Sequence, residues 1–368
     1  MKVLILEPIG SGAALVNSAL ELGWDCYILS YNKSDRRLPN EDAWKKCTIL
    51  EVDTNKTDAV FDLLDNLNIA FDAIVSGNEY YVPLSILLAD KYKVIGLPYD
   101  MLPIVHDKLK MREFLTNKNI RNPWFTTVSN VSDIKLNKQI HYPCIIKPKA
   151  AAGSYHVNKA NNEQELIMYY NLIKNETHKE LDHELGSEVL VEEYLERPEY
   201  SVEGYYSNQE LHIVSITKKF LSDEPYFVEI GHMTPFSDLS ERRVDEIKSY
   251  VKDILLATNV SCGVFHCEIR FNKDLLPVLV EIAFRLPGDK IVDLIKLSSN
   301  IDLSKAMLLS YAGLPYVTEV FKNKMFAGVA FYHDKTNLQD YRHRKGYEII
   351  VDNDEEKVLN KMKKIWEQ

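Results

Sequence analysis

Two apolar runs, one on either side of residue 275, each carry a carboxylate where a strand should lie. Phe265-His266-Cys267-Glu268-Ile269-Arg270 and Val280-Glu281-Ile282-Ala283-Phe284-Arg285 read as adjacent strands, with their glutamates thirteen positions apart. A charge flanked by Val, Ile and Phe costs several kcal/mol unless a partner neutralises it. Any fold built on these strands must therefore supply one. A hard divalent cation with oxygen ligands meets that need and would bring a polyphosphate with it. Arg285, four residues beyond Glu281, suits a negatively charged reacting group. The pattern points to phosphate chemistry on a carboxylate substrate.

The remainder of the chain sets the frame. Its 368 residues exceed one ordinary core, so two or three packed units are expected. A hydrophobic content of 46% with 27% charged residues is the balance of a soluble globular protein. The net charge of −10, with no long basic tract, excludes a nucleic-acid scaffold held by its overall field. Five cysteines without CxxC spacing read as free thiols in a reducing compartment, not as a zinc site. No run reaches the ~18 apolar residues of a membrane span. The first strand, broken by Glu7 and Pro8, is too short for a signal peptide's apolar core. The expectation is a cytoplasmic protein without a membrane partner.

Residues 1–100 alternate short apolar strands (Val3–Leu6, Cys26–Leu29, Ala73–Val75) with helices (Ala13–Leu22, Asp58–Leu67, Tyr81–Tyr92), which implies a parallel, doubly wound sheet. The turn Gly10-Ser11-Gly12-Ala13-Ala14-Leu15 lacks the third glycine of a dinucleotide fingerprint, and no acid follows the second strand. A nicotinamide site is therefore weakly supported against a plain helix N-terminus. Beyond residue 105 come a helix at His106–Leu115 with Asp107 as cap, a strand ending in Lys147-Pro148, and the small-residue loop Lys149–Val157. A helix (Asn162–Asn175), a polar acidic stretch to Gly186, the strand Val189–Glu193 and an antiparallel pair (Tyr200–Tyr206, Glu210–Ile216) follow. The long helix Leu239–Thr258 leads to the two carboxylate strands. Residues after about 315 form a short terminal piece ending in the helix Glu355–Trp366.

Several segments have a chemical and a plain reading. Lys147, before a loop containing Gly153 and Ser154, suits phosphates under a flap, because small residues let backbone N–H groups approach an anion; it equally suits a solvated strand end. Val191-Glu192-Glu193-Tyr194-Leu195 followed by Glu199 offers an acceptor for an adenine amine, backbone partners, a flat wall and a ribose ligand; it is also an ordinary charged strand edge. The loop Phe227–Pro235 puts Glu229 and His232 where they can take an ammonium group, though a structural histidine is the common case. His266 faces the same side as Glu268 and either orients it or packs in the core.

In this order, Asp107-Lys108, Ile146-Lys147-Pro148, Gly153-Ser154, Glu192-Glu193-Tyr194-Leu195, Glu199, Glu268 and Glu281 with Arg285 resemble the ATP-grasp superfamily. The Glu229…His232 loop, the His266…Glu268 strand and the Arg285-Leu286-Pro287-Gly288-Asp289 ending are most similar to its L-amino-acid ligases. The resemblance implies an α/β protein with the ATP-grasp fold: an N-terminal Rossmann-like domain (1–105), a first ATP-grasp part with the lid (106–190), a central antiparallel-sheet part (191–315) and a short C-terminal segment (316–368). It implies that Lys108 and Lys147 hold phosphates, that Gly153 and Ser154 belong to the ATP site, that Glu192, Glu193, Tyr194 and Leu195 hold adenine, and that Glu199 holds ribose. Glu268 and Glu281 would carry Mg2+, with Mn2+ as a substitute. Arg285 would steady an acyl phosphate, and Glu229, His232, His266 and Gly288 would line the substrate pocket. Ala283 stands where many members have a metal-binding asparagine. The implied activity is ATP-dependent ligation of a carboxylate, an amino acid, to an amine; the alternatives are a thiol acceptor on a carrier protein and a non-catalytic nucleotide-binding module. A homodimer is the default assembly.

Overall fold

Each sheet follows from the pattern of its strands. The computed structural model describes residues 1–32, 41–150, 153–176, 181, 188–196, 198–222, 224, 226–321, 324–334, 338 and 341–367. The loop residues Ala151 and Ala152, most of the acidic stretch before Gly186, and Arg197 thus lie outside the described residues.

The N-terminal strands β1 (Lys2–Leu6), β2 (Asp25–Ser30), β3 (Thr48–Glu51) and β4 (Ala73–Ser76) form a parallel sheet in the order β3-β2-β1-β4. Val3 to Leu6 are fully buried, as an all-apolar strand covered on both faces requires. Sequence reading passed over β3, a four-residue strand with only Leu50 buried. The Gly10–Gly12 turn has a packing reason: a Cβ on Gly12 would fall 2.1 Å from the carbonyl oxygen of Gly77.

The second sheet is antiparallel. It joins β5 (Phe125–Val128), β6 (Cys144–Pro148), β7 (Asn158–Ala160) and β8 (Val189–Glu193) in the order β5-β8-β6-β7. The helix Glu163–Lys174 closes one face with Leu166, Tyr170 and Ile173, and Asn162 caps it by accepting from the backbone N of Glu165.

The central sheet is larger than the sequence suggests. Strands β9 (Tyr200–Ser207), β10 (Glu210–Leu221), β11 (Glu229–Thr234), β12 (Val264–Phe271), β13 (Pro277–Ala283), β14 (Phe326–His333) and β15 (Arg344–Asp352) run β13-β12-β9-β10-β11-β14-β15. Two expectations change here. The segment around Glu229 and His232 is a strand, not a loop, because β10 and β14 pair with it on both sides. The chain beyond residue 315 is not a separate piece: β14 and β15 extend the sheet, and the helix Glu355–Trp366 buries Val358, Met362 and Ile365 against Met233, Phe326 and Ala330. Among the described residues no helix is long and apolar enough to cross a membrane.

Candidate functional site

Sheet register turns the thirteen-residue spacing into a site. Glu268 on β12 lies directly opposite Glu281 on β13. Val280 is an extra residue at a bulge beside this pair, and Arg112 donates to its carbonyl at 2.8 Å. Both carboxylates line a cleft of about 210 Å³ between the second and central sheets. Every residue expected at the site lines it except Tyr194.

Neither glutamate is left bare. Lys219 Nζ donates to Glu268 Oε1, and Lys108 Nζ lies 3.2 Å from Glu281 Oε1. Lys219 also reaches Glu199 at 2.7 Å and Glu229 at 3.3 Å. Burial alone would lower its pKa, but the three carboxylates drive it well above the ordinary lysine value. Burial would raise the Glu268 pKa, but Lys219 and His266 hold it well below the usual carboxylate range. The sequence does not single out Lys219, which lies beyond the strand expected at Glu210–Ile216 but inside the observed Glu210–Leu221. The available signal was strand parity, which puts Lys219 on the face of Thr217, itself a donor to buried Glu203.

His266 bridges two acids, with Nδ1 3.0 Å from Glu203 Oε1 and Nε2 3.2 Å from Glu268 Oε1. It thus contacts Glu268 while also lining the cleft. Burial disfavours the imidazolium, yet the two carboxylates outweigh it and push the pKa up to about 9. A folded pKa above the unfolded value stabilises fully below pH ~6.5, the unfolded histidine value. That contribution is lost as pH rises through about 9. Metal-free, nucleotide-free protein should therefore melt at progressively lower temperature across this window, and His266→Gln should flatten the trend. Parallel pH curves for the two proteins would count against a charged His266.

Glu192 is held between two cations at the cleft. Arg112 Nε donates to its Oε1 at 2.7 Å, and Lys147 Nζ lies 2.6 Å from Oε2. All three side chains are buried. Burial would raise the Glu192 pKa, but the two cations overcome it and bring it to about 2. Its carboxylate is shared between the two cations and still lines the cleft. Tyr194 turns away, donating its hydroxyl to Glu224 under Lys159, whose Nζ is 4.2 Å from the ring centroid. The cleft keeps Glu193, Leu195 and Phe227, with Arg270 over the Phe227 ring at 5.1 Å. Glu199 pairs with Arg270 at 2.9 Å as well as with Lys219.

The far wall draws on every sheet. Arg285 Nε donates to Glu79 Oε2 at 2.6 Å, and Glu79 comes from the turn after β4. Burial raises the Glu79 pKa while Arg285 opposes it. Ser154 Oγ donates to Glu229 at 3.3 Å. Gly153 has φ +67, and a Cβ there would press on the Tyr341 ring at 3.1 Å. Glu229 and His232, three residues apart, share a face because the bulge at Ile230 shifts the parity of β11, and Trp366 Nε1 donates to the Ile230 carbonyl at 2.7 Å. Glu79 and Arg344, which pairs with Asp289, are functional candidates that the sequence did not single out.

The donor set fits a divalent cation. Two facing carboxylates, each neutralised by a lysine, can exchange those lysines for a metal carrying phosphate oxygens. Among the described residues no group of three or more His, Cys, Asp or Glu forms a metal cage by itself, so phosphate and water would complete the shell.

Known proteins agree with this architecture. Residues 140–293 match the model of the ATP-grasp domain family. The carbamoyl phosphate synthase large chain of Thermoanaerobacter pseudethanolicus is 24% identical over 233 residues, covering 60% of this chain and 20% of that one. The alanine–anticapsin ligase of Bacillus subtilis is 24% identical over 255 residues, covering 64% and 53%. The chain thus spans about a fifth of the synthase and half of the ligase. An L-amino acid ligase from Bacillus licheniformis superimposes with a TM-score of 0.80 at 18% identity, over 100% of this chain and 97% of the other. The ADP complex of N5-carboxyaminoimidazole synthetase from Staphylococcus aureus gives 0.77 at 16%, over 99% and 96%. At these identities the likeness speaks for the fold. Residues 140–293 thus match an ATP-grasp domain, and the whole chain shares the fold of these ATP-grasp-like neighbours.

Proposed function

We propose that this protein is an ATP-dependent ligase that joins a carboxylate to an amine through an acyl phosphate, with an amino acid as its substrate class. The observation that carries this reading is the Glu268–Glu281 pair, facing each other in one cleft with Lys108, Lys147 and Arg285. Similarity to an alanine–anticapsin ligase and an L-amino acid ligase supports it.

Each side chain has a defined task. Lys108 and Lys147 bind the nucleotide's phosphates as point charges, and Arg112 with Glu192 keeps Lys147 in place. Phe227 and Leu195 flank the base, and Glu199 takes the ribose hydroxyls. Glu268 and Glu281 would hold Mg2+, which supplies charge neutralisation on the phosphates when bound. A substrate carboxylate oxygen attacks the γ-phosphorus, the bond to the β-phosphate bridging oxygen breaks, and ADP leaves. Arg285 then steadies the acyl phosphate and the tetrahedral oxyanion that forms when the amine attacks the carbonyl carbon. The C–N bond forms, the C–O bond to phosphate breaks, and inorganic phosphate departs. The Gly153-Ser154 segment over the cleft keeps water from the acyl phosphate.

Hydroxylamine tests the intermediate, because it replaces the amine and leaves a hydroxamate of the activated acid. Hydroxamate formation that requires MgATP and one amino acid is the expected result; phosphate release without it would contradict an acyl phosphate. Arg285→Ala should lower kcat on the order of 100- to 1000-fold with little change in ATP affinity. Steady-state kinetics and nucleotide titration check the split, and equal loss in both would reduce Arg285 to a structural partner of Glu79.

A further inference from the structure

The C-terminal strand places a charge behind the substrate end of the cleft. Arg344 on β15 forms a two-pronged pair with Asp289, with its terminal nitrogens donating to Oδ2 at 2.9 Å and to Oδ1 at 2.8 Å. Its guanidinium is stacked over Phe331 at 4.1 Å, and its Nε donates to the Tyr341 carbonyl at 3.2 Å. This is the planar, pre-organised geometry that makes arginine a rigid holder of a carboxylate. Asp289 lines the cleft, whereas Arg344 stands behind it. The neighbouring Gly288 leaves open space where a side chain would project.

Beside Asp289 lies an unfilled polar position. His232 is 1% exposed, lines the cleft, and neither ring nitrogen has a hydrogen-bond partner among the described residues. Its Nε2 is 3.6 Å from Asp289 Oδ2, beyond hydrogen-bonding distance. A buried imidazole with donor and acceptor both unmet is costly, which argues for a ligand that meets them. Asp289, Glu229 and His232 all line the cleft; Glu229 is paired with Lys219 at 3.3 Å, so Asp289 is the carboxylate beside the His232 ring. Arg344 holds Asp289 in place from behind.

Resting on the ligase reading above, we propose that Asp289 is the specificity-determining acceptor for the substrate's ammonium group, with His232 as a second contact and Arg344 as the positioning residue. The site would thus select a zwitterionic amino acid over the same carboxylate lacking its amine. Nothing in this assignment requires turnover, so binding tests it separately from catalysis.

Titration calorimetry with a non-hydrolysable ATP analogue and Mg2+, adding standard L-amino acids one at a time and then the des-amino and N-acetyl forms of the tightest binder, is the direct experiment. Wild type should prefer the free amino acid. Asp289→Asn should weaken that binding by about tenfold or more, while leaving affinity for the ATP analogue and for the des-amino acid unchanged. Arg344→Ala should weaken it in the same direction, and Arg344→Lys should recover part of the loss. Equal affinity for the amino acid and its des-amino form, or unchanged amino-acid affinity in Asp289→Asn, would overturn the assignment. So would a wild type that binds no amino acid, although a ligase acting on another carboxylate would survive that outcome. Conversely, selective amino-acid binding without phosphate release would keep the ammonium subsite and remove the ligase reading.

Discussion

Glu281→Gln should abolish turnover, on the order of a thousandfold or more, in a protein that still folds. Glu281 sits opposite Glu268 on a hairpin whose backbone pairing does not depend on the side chain. Its partner Lys108 lies at the cleft rather than in a sealed core, so the amide removes charge without leaving a fully buried orphan. What it removes is half of the carboxylate pair needed to hold a cation against the transferring phosphoryl group. Phosphate release at several Mg2+ concentrations, with a thermal melt as the folding control, checks this. A variant with normal activity and normal Mg2+ dependence would sink the metal assignment at Glu268 and Glu281.

The second large effect is on stability. Glu192→Gln keeps the shape of the side chain and removes the anion shared by two buried cations, Arg112 and Lys147. Breaking a buried ionic group by deleting one member typically costs about 3–5 kcal/mol, because the remaining charges stay buried and unpaired. For a unit of this length that corresponds to a fall in Tm of ~5 °C. ATP affinity should fall too, since Lys147 would no longer be held in place. Calorimetry of the nucleotide-free protein separates this from a direct adenine contact. An unchanged Tm with weakened ATP binding would return Glu192 to the adenine role that its sequence position first suggested.

Much of the architecture was legible because period and burial agree. Val3–Leu6 and Ala73–Val75 are short apolar runs between helical patterns, Val189–Val191 starts a third, and each belongs to a strand close to its expected bounds. The Glu268–Glu281 pair was legible for a sharper reason: a carboxylate in an apolar strand is improbable unless the fold uses it. What escaped notice needed information that local pattern lacks. The segment at Glu229–Thr234 looks like a loop, since Gly231 and Pro235 punctuate it. Its strand character comes from neighbours far away in sequence, β14 among them. β15 presents exposed residues from Lys345 to Glu348, so its polar sequence hides its role at the sheet edge.

The site residues that went unseen share one trait. Lys219, Glu79 and Arg344 are ordinary charged residues in ordinary surroundings, and only the fold carries them to the cleft. Lys219 gathers acids from β11, β12 and the segment before β9. Glu79 reaches Arg285 across 206 residues, and Arg344 reaches Asp289 across 55. Glu192 shows the reverse case: its position was evident, but its partners Arg112 and Lys147 decide what it can do.

Phosphate release from MgATP across a panel of amino acids, taken singly and in pairs, with mass spectrometry of the products, tests the central claim most directly. A carboxylate–amine ligase should release phosphate in step with a new mass equal to the two substrates less one water. Phosphate release with a single amino acid and no condensed product from any pair, or no release with any member of the panel, would contradict it.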